Sequence, residues 1–274
     1  MIQITSRNNP KIKHIRLLRQ HKHRQQTGQF LVEGIHAVGQ AVEAAGLAST
    51  GLAIDSIYFA PELLTSEFAL NLIENQSRLG VPCYSTTSEV FKHIADKENP
   101  QGILAVAHIP TAQLAHLSPD KFSWGVALVA PQDPGNIGAI LRTIDAVGAS
   151  GLILLDASAD PFHPGSVRAS MGSIFWHPIV QAPFSEFVPW AKRSGYWIYG
   201  TSAKGNTDYR LMRGYNLPAI LLLGSEQKGL SPEHIAACDV ALRLPMRGRM
   251  SSLNLAVAAG VMLYHMLENI QSEN

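Results

Sequence analysis

Three polar segments of the sequence, each following an apolar run, carry side chains that could hold a ligand and act on it. They are residues 131–142 with Asn136 and Arg142, residues 223–232 with Glu226, and residues 244–254 with Ser252 and Asn254. The apolar runs predict strands of a parallel sheet, and such sheets bind ligands beyond the carboxyl ends of their strands. The three segments therefore predict one shared pocket, where amides, a carboxylate and a guanidinium could position a polar substrate.

Taken one at a time, these residues have simpler interpretations. Asn136 would cap the helix after the first of these strands, and Ser251 and Ser252 would cap the last helix. Arg142 would be a surface residue, and Glu226 a solvated acid between glycines. Arg142 follows Asn136 by roughly 1.7 helical turns, so the two are not expected on one helix face.

Other chemistries lack their sequence signatures. No apolar run is followed by the Gly-x-Gly-x-x-Gly of dinucleotide sites, and phosphate-loop, zinc-hydrolase and nucleophile-elbow motifs are absent from the sequence. Cys83 and Cys238 are far apart and have no metal-ligand spacing, so no metal site is expected. A nicotinamide-dependent enzyme is therefore a weak alternative.

Charge is distributed unevenly along the 274 residues, although the net charge is only +1. Residues 1–30 hold no acid, and their bases are Arg7, Lys11, Lys13, Arg16, Arg19, Lys22 and Arg24. This asymmetry indicates either a surface for a polyanion or a solvated basic helix. Few cysteines, no apolar leader and an apolar run at 255–267 too short to span a bilayer predict a reduced, cytoplasmic protein.

Alternating strand and helix patterns predict two α/β domains. The first, residues 1–108, has predicted helices at 10–26, 35–45, 69–79 and 88–95 and predicted strands at 30–34, 54–60, 83–84 and 103–108. Falling apolar density, with Pro110 and Pro119, places a linker at 109–123.

The second domain, residues 124–274, alternates in the same way. Its predicted strands are 124–130, 152–155, 174–180, 196–201, 218–223 and 240–244. Its predicted helices are 137–147, 184–193, 232–237 and a last one from 253, with a short helix or turn at 162–171. Gly148 follows the first of these helices as a C-terminal cap.

Together, the three polar segments resemble the motifs of the SpoU/TrmH family of the knotted SPOUT class, enzymes that methylate ribose 2′-hydroxyls of RNA. The resemblance covers residues 124–267 and rests on Asp133-Pro-Gly-Asn-Ile-Gly-Ala-Ile-Leu-Arg-Thr143, Gly224-Ser-Glu226 and Ser252-Leu-Asn254. Arg168-Ala-Ser-Met-Gly-Ser-Ile-Phe175 is similar to the family's segment between the first two motifs. Phe30-Leu-Val-Glu-Gly34 and the basic helix before it are similar to the family's ribosomal-protein-like RNA-binding module.

The resemblance implies a fold, a cofactor and partners. The fold would be a small N-terminal α/β RNA-binding domain and a C-terminal α/β-knot domain with a mostly parallel sheet and a trefoil knot, a rare exception to unthreaded topology. The cofactor S-adenosyl-L-methionine would lie against backbone near Gly224, Leu244, Met246 and Leu253, with Gly224 allowing close approach. The partners would be RNA, with ribosomal RNA favoured over transfer RNA, and a second copy packed through the knotted domain with helix 255–267.

The resemblance also makes Arg142 the catalytic arginine. Neutralising a guanidinium near pH 7 would cost about 9 kcal/mol, so we expect Arg142 to grip a phosphate and stabilise the developing alkoxide rather than act as a base. Asn136, Glu226, Ser252 and Asn254 would orient Arg142, the cofactor or the ribose. Glu226 in particular is predicted to anchor Arg142.

Five basic residues are expected to contact RNA phosphates: Arg7, Lys11, Lys13, Arg16 and Arg168. Arg247 and Arg249 depart from the family pattern and could either grip RNA or disturb their loop. A different class of function stays open, namely a catalytically inactive RNA-binding or ribosome-assembly protein on the same scaffold.

Overall fold

The computed structural model describes residues 2–270, which form two compact units. Unit 1 comprises the residues up to Pro110 together with Phe162–Trp176, and unit 2 comprises Thr111–Pro161 and the residues from His177 onward. No sequence pattern had indicated that Phe162–Trp176 belongs to unit 1. The predicted domains, 1–108 and 124–274 with a linker at 109–123, stay predictions.

The segment Phe162–Trp176 belongs to unit 1 because its aromatic residues pack against residues of that unit. Phe162 and Phe175 both lie against Phe30, with ring centroids 4.8 and 6.4 Å apart. Trp176 Nε1 donates a hydrogen bond to Gln40 Oε1 at 3.0 Å. Burying aromatic rings is worth roughly 3 kcal/mol each, enough to hold a short segment in place.

Unit 1 is built on a mixed five-stranded sheet in the order β1-β4-β3-β5-β2. Its strands are β1 (Ile2–Ile4), β2 (Gln29–Glu33), β3 (Ala53–Phe59), β4 (Cys83–Thr86) and β5 (Ile103–His108). Its helices are α1 (Pro10–Leu17), α2 (His21–Thr27), α3 (Ile35–Ala45), α4 (Glu67–Arg78), α5 (Ser88–Ile94) and α7 (Pro164–Ala169). The short strand β1 was not predicted from the sequence.

The single predicted helix at 10–26 is wrong, because the chain breaks between α1 and α2. The guanidinium of Arg24 is buried at this break and donates to the backbone carbonyls of Leu18 and Arg19, both at 2.8 Å. A carbonyl that accepts a hydrogen bond from a side chain does not need a backbone N–H of the next helical turn as its donor. Arg24 therefore counts as a structural residue and not as part of an RNA-facing helix surface.

Unit 2 is built on a seven-stranded parallel sheet in the order β10-β12-β9-β11-β6-β7-β8. Its strands are β6 (Trp124–Val129), β7 (Leu152–Leu155), β8 (Ile179–Ala182), β9 (Trp197–Thr201), β10 (Thr207–Asp208), β11 (Ala219–Leu223) and β12 (Val240–Arg243). Its helices are α6 (Pro134–Val147), α8 (Phe184–Arg193), α9 (Pro232–Ala236) and α10 (Leu255–Asn269). The predicted α/β class with a mostly parallel sheet is confirmed.

One predicted strand of unit 2 is wrong. Residues 174–180 do not form a strand, because Ser173–Phe175 is a 3-10 turn within unit 1 and pairing begins only at Ile179. The apolar residues that suggested a strand, Ile174 and Phe175, are buried as expected but in the other unit's core.

The sheet of unit 2 is covered by helices. Phe187 and Trp190 of α8 pack with Ile153 and Ile220 in one core cluster, while α10 packs against α6 and β11. This explains the continuous apolar strands, since both faces exclude water. No helix of the described residues is both long and apolar enough to cross a bilayer.

Strand order sets the place of a ligand site. The chain runs from β6 outward to β7 and β8, and the later strand β11 pairs with the opposite side of β6. The loops after β6 and β11 therefore leave the same edge of the sheet side by side, at a switch in strand order where parallel sheets bind ligands.

Candidate active site

Glu226 joins the loop after β11 to the loop after β6. Its carboxylate accepts hydrogen bonds from the backbone N–H of Gln132 at 3.0 Å and of Asp133 at 3.3 Å, and from Nδ2 of Asn136 at 2.9 Å. The simpler interpretation of a solvated loop acid is therefore wrong. Glu226 fixes the entry to α6.

Asn136 lies inside α6 and is not its cap, contrary to the sequence interpretation. Pro134 takes the first helical position and Asp133 is the cap, accepting from the backbone N–H of Gly135 at 2.7 Å. Asn136 is consequently buried, with 7% of its surface exposed. Its side chain is free to bind other loops.

Asn254 lies in the third loop, which follows β12, and connects that loop to Glu226 and Asn136. Its Nδ2 donates to Oδ1 of Asn136 at 2.9 Å, and its own Oδ1 accepts from the backbone N–H groups of Ala256 and Val257. Asn254 is thus the cap of α10, and the predicted capping role of Ser251 and Ser252 is wrong. An amide can cap a helix with its oxygen and still donate from its nitrogen, which a serine cannot do over the same distance.

The three side chains form a line, Glu226–Asn136–Asn254, that we call the polar bridge. Partial burial by itself raises the pKa of the Glu226 carboxyl. The hydrogen bonds from Asn136, Gln132 and Asp133 outweigh burial and hold that pKa below its ordinary value. Glu226 is therefore ionised at neutral pH, which fixes the direction of each bond in the bridge.

A cavity of about 460 Å³ lies beside the polar bridge. Gly224, Glu226, Leu244, Met246, Ser252 and Leu253, all predicted from the sequence, line it. Asn136 and Asn254 support the cavity through Glu226 but do not line it, and Arg142 does not line it either.

The cavity suits a nucleoside with a short charged tail. Its apolar wall includes Leu230, Ile235 and Leu255, and the remaining lining is polar. Its volume lies within the roughly 300–1,000 Å³ typical of small-molecule sites. The residues present fit S-adenosyl-L-methionine, whose adenine needs an apolar slot and whose amino-acid tail needs polar groups.

Gly224 is required for a reason that the sequence interpretation did not give. A Cβ atom on Gly224 would collide with the backbone of Gly229 and Leu230. The loop after β11 closes on itself there, with Gly229 N–H donating to the carbonyl of Ser225 at 2.9 Å. Gly224 therefore permits the loop's own closure, which in turn places Glu226.

Arg142 is exposed on α6 and is not held by Glu226. Among the described residues, its guanidinium has no hydrogen bond or ion pair. The expected anchoring of Arg142 by Glu226 is absent, because the Glu226 oxygens are engaged by α6's N-terminal groups. Asn136 and Arg142 do lie on different sides of α6, one buried and one exposed, as their spacing predicts.

The third loop and α10 expose an apolar stripe. The exposed fractions of Leu253, Val257, Val261 and Tyr264 are 41%, 52%, 36% and 51%. Val257, Val261 and Tyr264 are spaced by four and three, which places them along one side of α10, and Leu253 lies just before the helix's N-terminal cap. Such a stripe, continuous with the cavity lining at Leu253, is typical of a protein interface.

The predicted RNA-binding residues of unit 1 differ in whether their side chains already have a partner. Lys13 and Arg16 are exposed and have no hydrogen bond or ion pair within the described chain. Arg7 pairs with Glu89 at 2.8 Å, and Lys11 lies over the ring of Tyr84, 4.6 Å from its centroid. Arg168 pairs with Asp96 at 2.7 Å.

The basic surface extends to α5, which the sequence analysis did not single out. Burial, followed by the positive charges of Arg16, Arg7 and Arg19, lowers the pKa of His93 on α5. Helices α1 and α5 pack together, so these bases share one surface. The three arginines that act on His93 mark a surface of positive potential, which charge counting along the chain cannot show.

No group of three or more His, Cys, Asp or Glu side chains within residues 2–270 is arranged to hold a metal ion.

Two family profiles match the chain. The SpoU rRNA Methylase family matches residues 123–264. The MRM3-like substrate binding domain matches residues 9–105.

Two curated relatives match over nearly their whole length. The chain is 33% identical to the 23S rRNA (guanosine(2553)-2′-O)-methyltransferase RlmP of Bacillus subtilis (strain 168), over 97% of this chain and 99% of that protein. It is 32% identical to the 23S rRNA (uridine(2479)-2′-O)-methyltransferase of Streptomyces viridochromogenes, over 96% of this chain and 90% of that protein.

Solved structures agree. The AdoMet-bound rRNA methyltransferase from Sinorhizobium meliloti superposes with a TM-score of 0.85 at 34% identity, covering 96% of both chains. The SpoU methyltransferase AviRb from Streptomyces viridochromogenes in complex with AdoMet superposes with a TM-score of 0.82 at 30% identity, covering 95% of this chain and 98% of that one.

Proposed function

The chain belongs to the SpoU rRNA methylase family, and we propose that it transfers a methyl group from S-adenosyl-L-methionine to a ribose 2′-hydroxyl of ribosomal RNA. The observation that carries this proposal is the polar bridge from Glu226 through Asn136 to Asn254. It joins three loops that are far apart in sequence beside a cavity of nucleoside size. Two relatives that match 97% and 96% of the chain are 2′-O-methyltransferases of 23S rRNA, which favours ribosomal over transfer RNA.

The chain's own residues hold the cofactor and order the site. Gly224, Leu244, Met246 and Leu253 contribute the walls against which the nucleoside lies. When bound, S-adenosyl-L-methionine supplies a methyl group activated by its sulfonium. Ser252 stands at the same wall, where its hydroxyl can hydrogen-bond the ribose or the cofactor.

Helix α10 forms the centre of a homodimer in this proposal. The stripe of Leu253, Val257, Val261 and Tyr264 exposes apolar surface that a second copy would bury. Removing apolar surface from water stabilises a complex by roughly 25 cal/mol per Å². Because the stripe begins at the cavity lining, the partner's surface would close the open side of the cavity.

Arg142 acts across this interface. It lies exposed on α6, which packs against α10, and it does not reach its own cavity. A second copy placed on α10 brings another α6 to the same interface. Arg142 of one copy then binds the phosphate next to the target ribose in the other copy's site. It stabilises the negative charge that develops on the 2′-oxygen as the hydroxyl proton passes to water or a nearby group and the oxygen takes the methyl group.

Unit 1 positions the RNA. Within residues 2–270, Lys13 and Arg16 are the bases of the predicted set without competing partners, so they contribute most to phosphate contacts. Arg7, Lys11 and Arg168 are released from weak surface contacts when RNA binds. Contacts of this kind fix the register of an RNA without reading its sequence. The trefoil knot and the cytoplasmic location stay predictions.

Mapping 2′-O-methylation across total RNA from cells with and without this protein tests the proposed function. The expected result is the loss of one or a few methylated riboses in ribosomal RNA. Loss confined to transfer RNA would change the substrate, and no change in any RNA would favour the catalytically inactive RNA-binding protein. Calorimetry with S-adenosyl-L-methionine distinguishes the catalytically inactive RNA-binding protein from a methyltransferase. An inactive protein has no need of the cofactor and should not bind it.

A further inference from the structure

Two lysines line the cavity and have no assigned role. Among the lining residues of the described chain, the charged ones are Lys204, Glu226 and Lys228. Lys204 follows β9 and Lys228 follows β11, and these two strands are neighbours in the parallel sheet. Both ammonium groups therefore belong to the same edge of the sheet.

Among the described residues, Glu226 forms no ion pair with either lysine. Its two oxygens accept from Asn136, Gln132 and Asp133, all at the start of α6. Neither lysine ammonium has an ion pair or hydrogen bond among the residues that the structure describes. The cavity wall thus carries two positive charges against the single negative charge of Glu226.

The backbone under Lys228 is held in a tight turn. Lys228 N–H donates to Oγ of Ser225 at 3.3 Å, and the next residue closes the turn through the Gly229 N–H bond to the Ser225 carbonyl. Gly224 packs against the backbone of Gly229 and keeps the turn in contact with β11.

The backbone under Lys204 is held in the same manner. Lys204 N–H donates to Oγ of Ser202 at 3.2 Å, and Gly205 N–H donates to the Ser202 carbonyl at 3.0 Å. Ser202 N–H in turn donates to the carbonyl of Leu242 on β12 at 2.9 Å. Both lysines therefore extend from rigid turns, while their side chains remain uncommitted.

We propose that Lys204 and Lys228 form an anion-binding pair that holds one oxyanion at the mouth of the cavity. The proposal rests on the methyltransferase function, which supplies two oxyanions of suitable chemistry. One is the carboxylate of the cofactor's amino-acid tail, and the other is an RNA phosphate beside the target ribose. Each ammonium offers three donors on a flexible stem, so the pair can close on an anion from two sides.

The test uses full-length Lys204→Gln, Lys228→Gln and the double variant, with Lys192→Gln as a matched control. Lys192 is exposed at the end of α8, just before β9 begins, and so lies at the opposite edge of the sheet. All three substitutions change exposed side chains, and the single variants guard against a folding defect in the double variant.

The first arm measures binding of S-adenosyl-L-methionine and of its decarboxylated analogue by calorimetry. If the pair holds the carboxylate, the double variant binds the cofactor about tenfold more weakly, while its affinity for the analogue is unchanged. The second arm measures RNA affinity against salt concentration. If the pair holds a phosphate, the double variant lowers the salt slope by about 0.7 to 0.9 and leaves cofactor affinity unchanged.

Either result supports an anion-binding pair and identifies its ligand. Unchanged binding in both arms, relative to Lys192→Gln, would overturn the proposal. Wild-type protein that transfers no methyl group to any RNA would refute the methyltransferase function instead, so the two failures are distinguishable.

Discussion

The amide nitrogen of Asn254 donates to Oδ1 of Asn136 at 2.9 Å, across 118 positions of sequence. This bond ties the N-terminus of α10 to the first turn of α6, and Glu226 extends the tie to the loop after β11. The site is therefore held by side-chain amides and a carboxylate instead of by one continuous element. A substitution at any one of the three residues should therefore alter the hydrogen bonding of the other two.

Replacing Asn254 separates its capping role from its bridging role. Asn254→Ala removes the cap and leaves Oδ1 of Asn136 unpaired, and we expect a loss of about 2 kcal/mol in the free energy of unfolding. Asn254→Ser keeps a capping oxygen and should recover about half of that loss. Urea denaturation measures both values, and equal stability of the two variants would contradict the capping role.

The ionised state of Glu226 predicts a pH dependence. The pKa of Glu226 is lowered in the folded protein, so its contribution is present above the ordinary Glu pKa, about 4.3, and is lost as pH falls through the folded value. We expect Glu226→Gln to cost about 1–3 kcal/mol at pH 7, since its amide would face backbone donors. The difference from wild type should shrink below pH 4.

Denaturation of the wild type, Glu226→Gln and Glu98→Gln at several pH values checks this expectation. Glu98 is exposed in unit 1 and has no hydrogen bond or ion pair in the described chain, so its substitution should have little effect at any pH. A Glu226→Gln deficit that does not change with pH would contradict the proposed charge state.

The apolar stripe on α10 predicts an obligate interface. Val261→Glu places a charge in the middle of the stripe, and we expect the protein to become monomeric and to lose methyl transfer. Light scattering after size-exclusion chromatography measures the mass. Leu79→Glu in unit 1, also at an exposed apolar residue, should leave the dimer intact. A dimeric Val261→Glu protein would place the interface elsewhere.

The same interface allows a mixing experiment on Arg142. Arg142→Ala and Asn136→Ala are each expected to be inactive alone. If Arg142 serves the partner's cavity, mixed dimers hold one complete site, and random mixing should restore about a quarter of wild-type activity. No recovery on mixing would mean that Arg142 does not act across the interface.

Neutralising the free bases of α1 should weaken RNA binding in a salt-dependent way. For Lys13→Gln combined with Arg16→Gln, we expect the salt slope to fall by about 1.4 to 1.8, the loss of two phosphate contacts. Arg78→Gln on α4 is the matched control, because Arg78 pairs with Glu74 on the same helix. A slope equal to that of the control would leave Lys13 and Arg16 as surface charges.

Much of the fold could be predicted where local signals were strong. Helices α3 and α8 and strands β5 and β7 have the predicted bounds, because Gly and Pro flank apolar patterns of the right period. The order of the site loops could be predicted as well, since loops after parallel strands share one edge. Gly148 was correctly predicted as the C-terminal cap of α6. The N-terminal caps of α6 and α10 could not be predicted, because Asp133 and Asn254 both compete with neighbouring polar residues that are equally good caps.

Contacts between distant residues were beyond the sequence patterns. Arg24 breaks the first helix by binding carbonyls of the preceding turn, and nothing in its type distinguishes it from the exposed bases beside it. Residues 162–176 join unit 1 through Phe162 and Phe175, whose partner Phe30 lies more than a hundred positions earlier. Arg142 lies outside its own cavity because of where α6 begins, and the sequence patterns did not show that the helix begins at Pro134.

The central claim is tested most directly by incubating the protein with methyl-labelled S-adenosyl-L-methionine and ribosomal RNA from cells that lack it, followed by alkaline hydrolysis. Alkaline cleavage needs a free 2′-hydroxyl, so a label on ribose remains in alkali-resistant dinucleotides. We predict such dinucleotides with wild type and at least about a hundredfold fewer with Arg142→Ala, which should still bind the cofactor. Arg193→Ala, at an exposed position of α8, should behave as wild type. Label released in mononucleotides, or undiminished transfer by Arg142→Ala, would contradict the account.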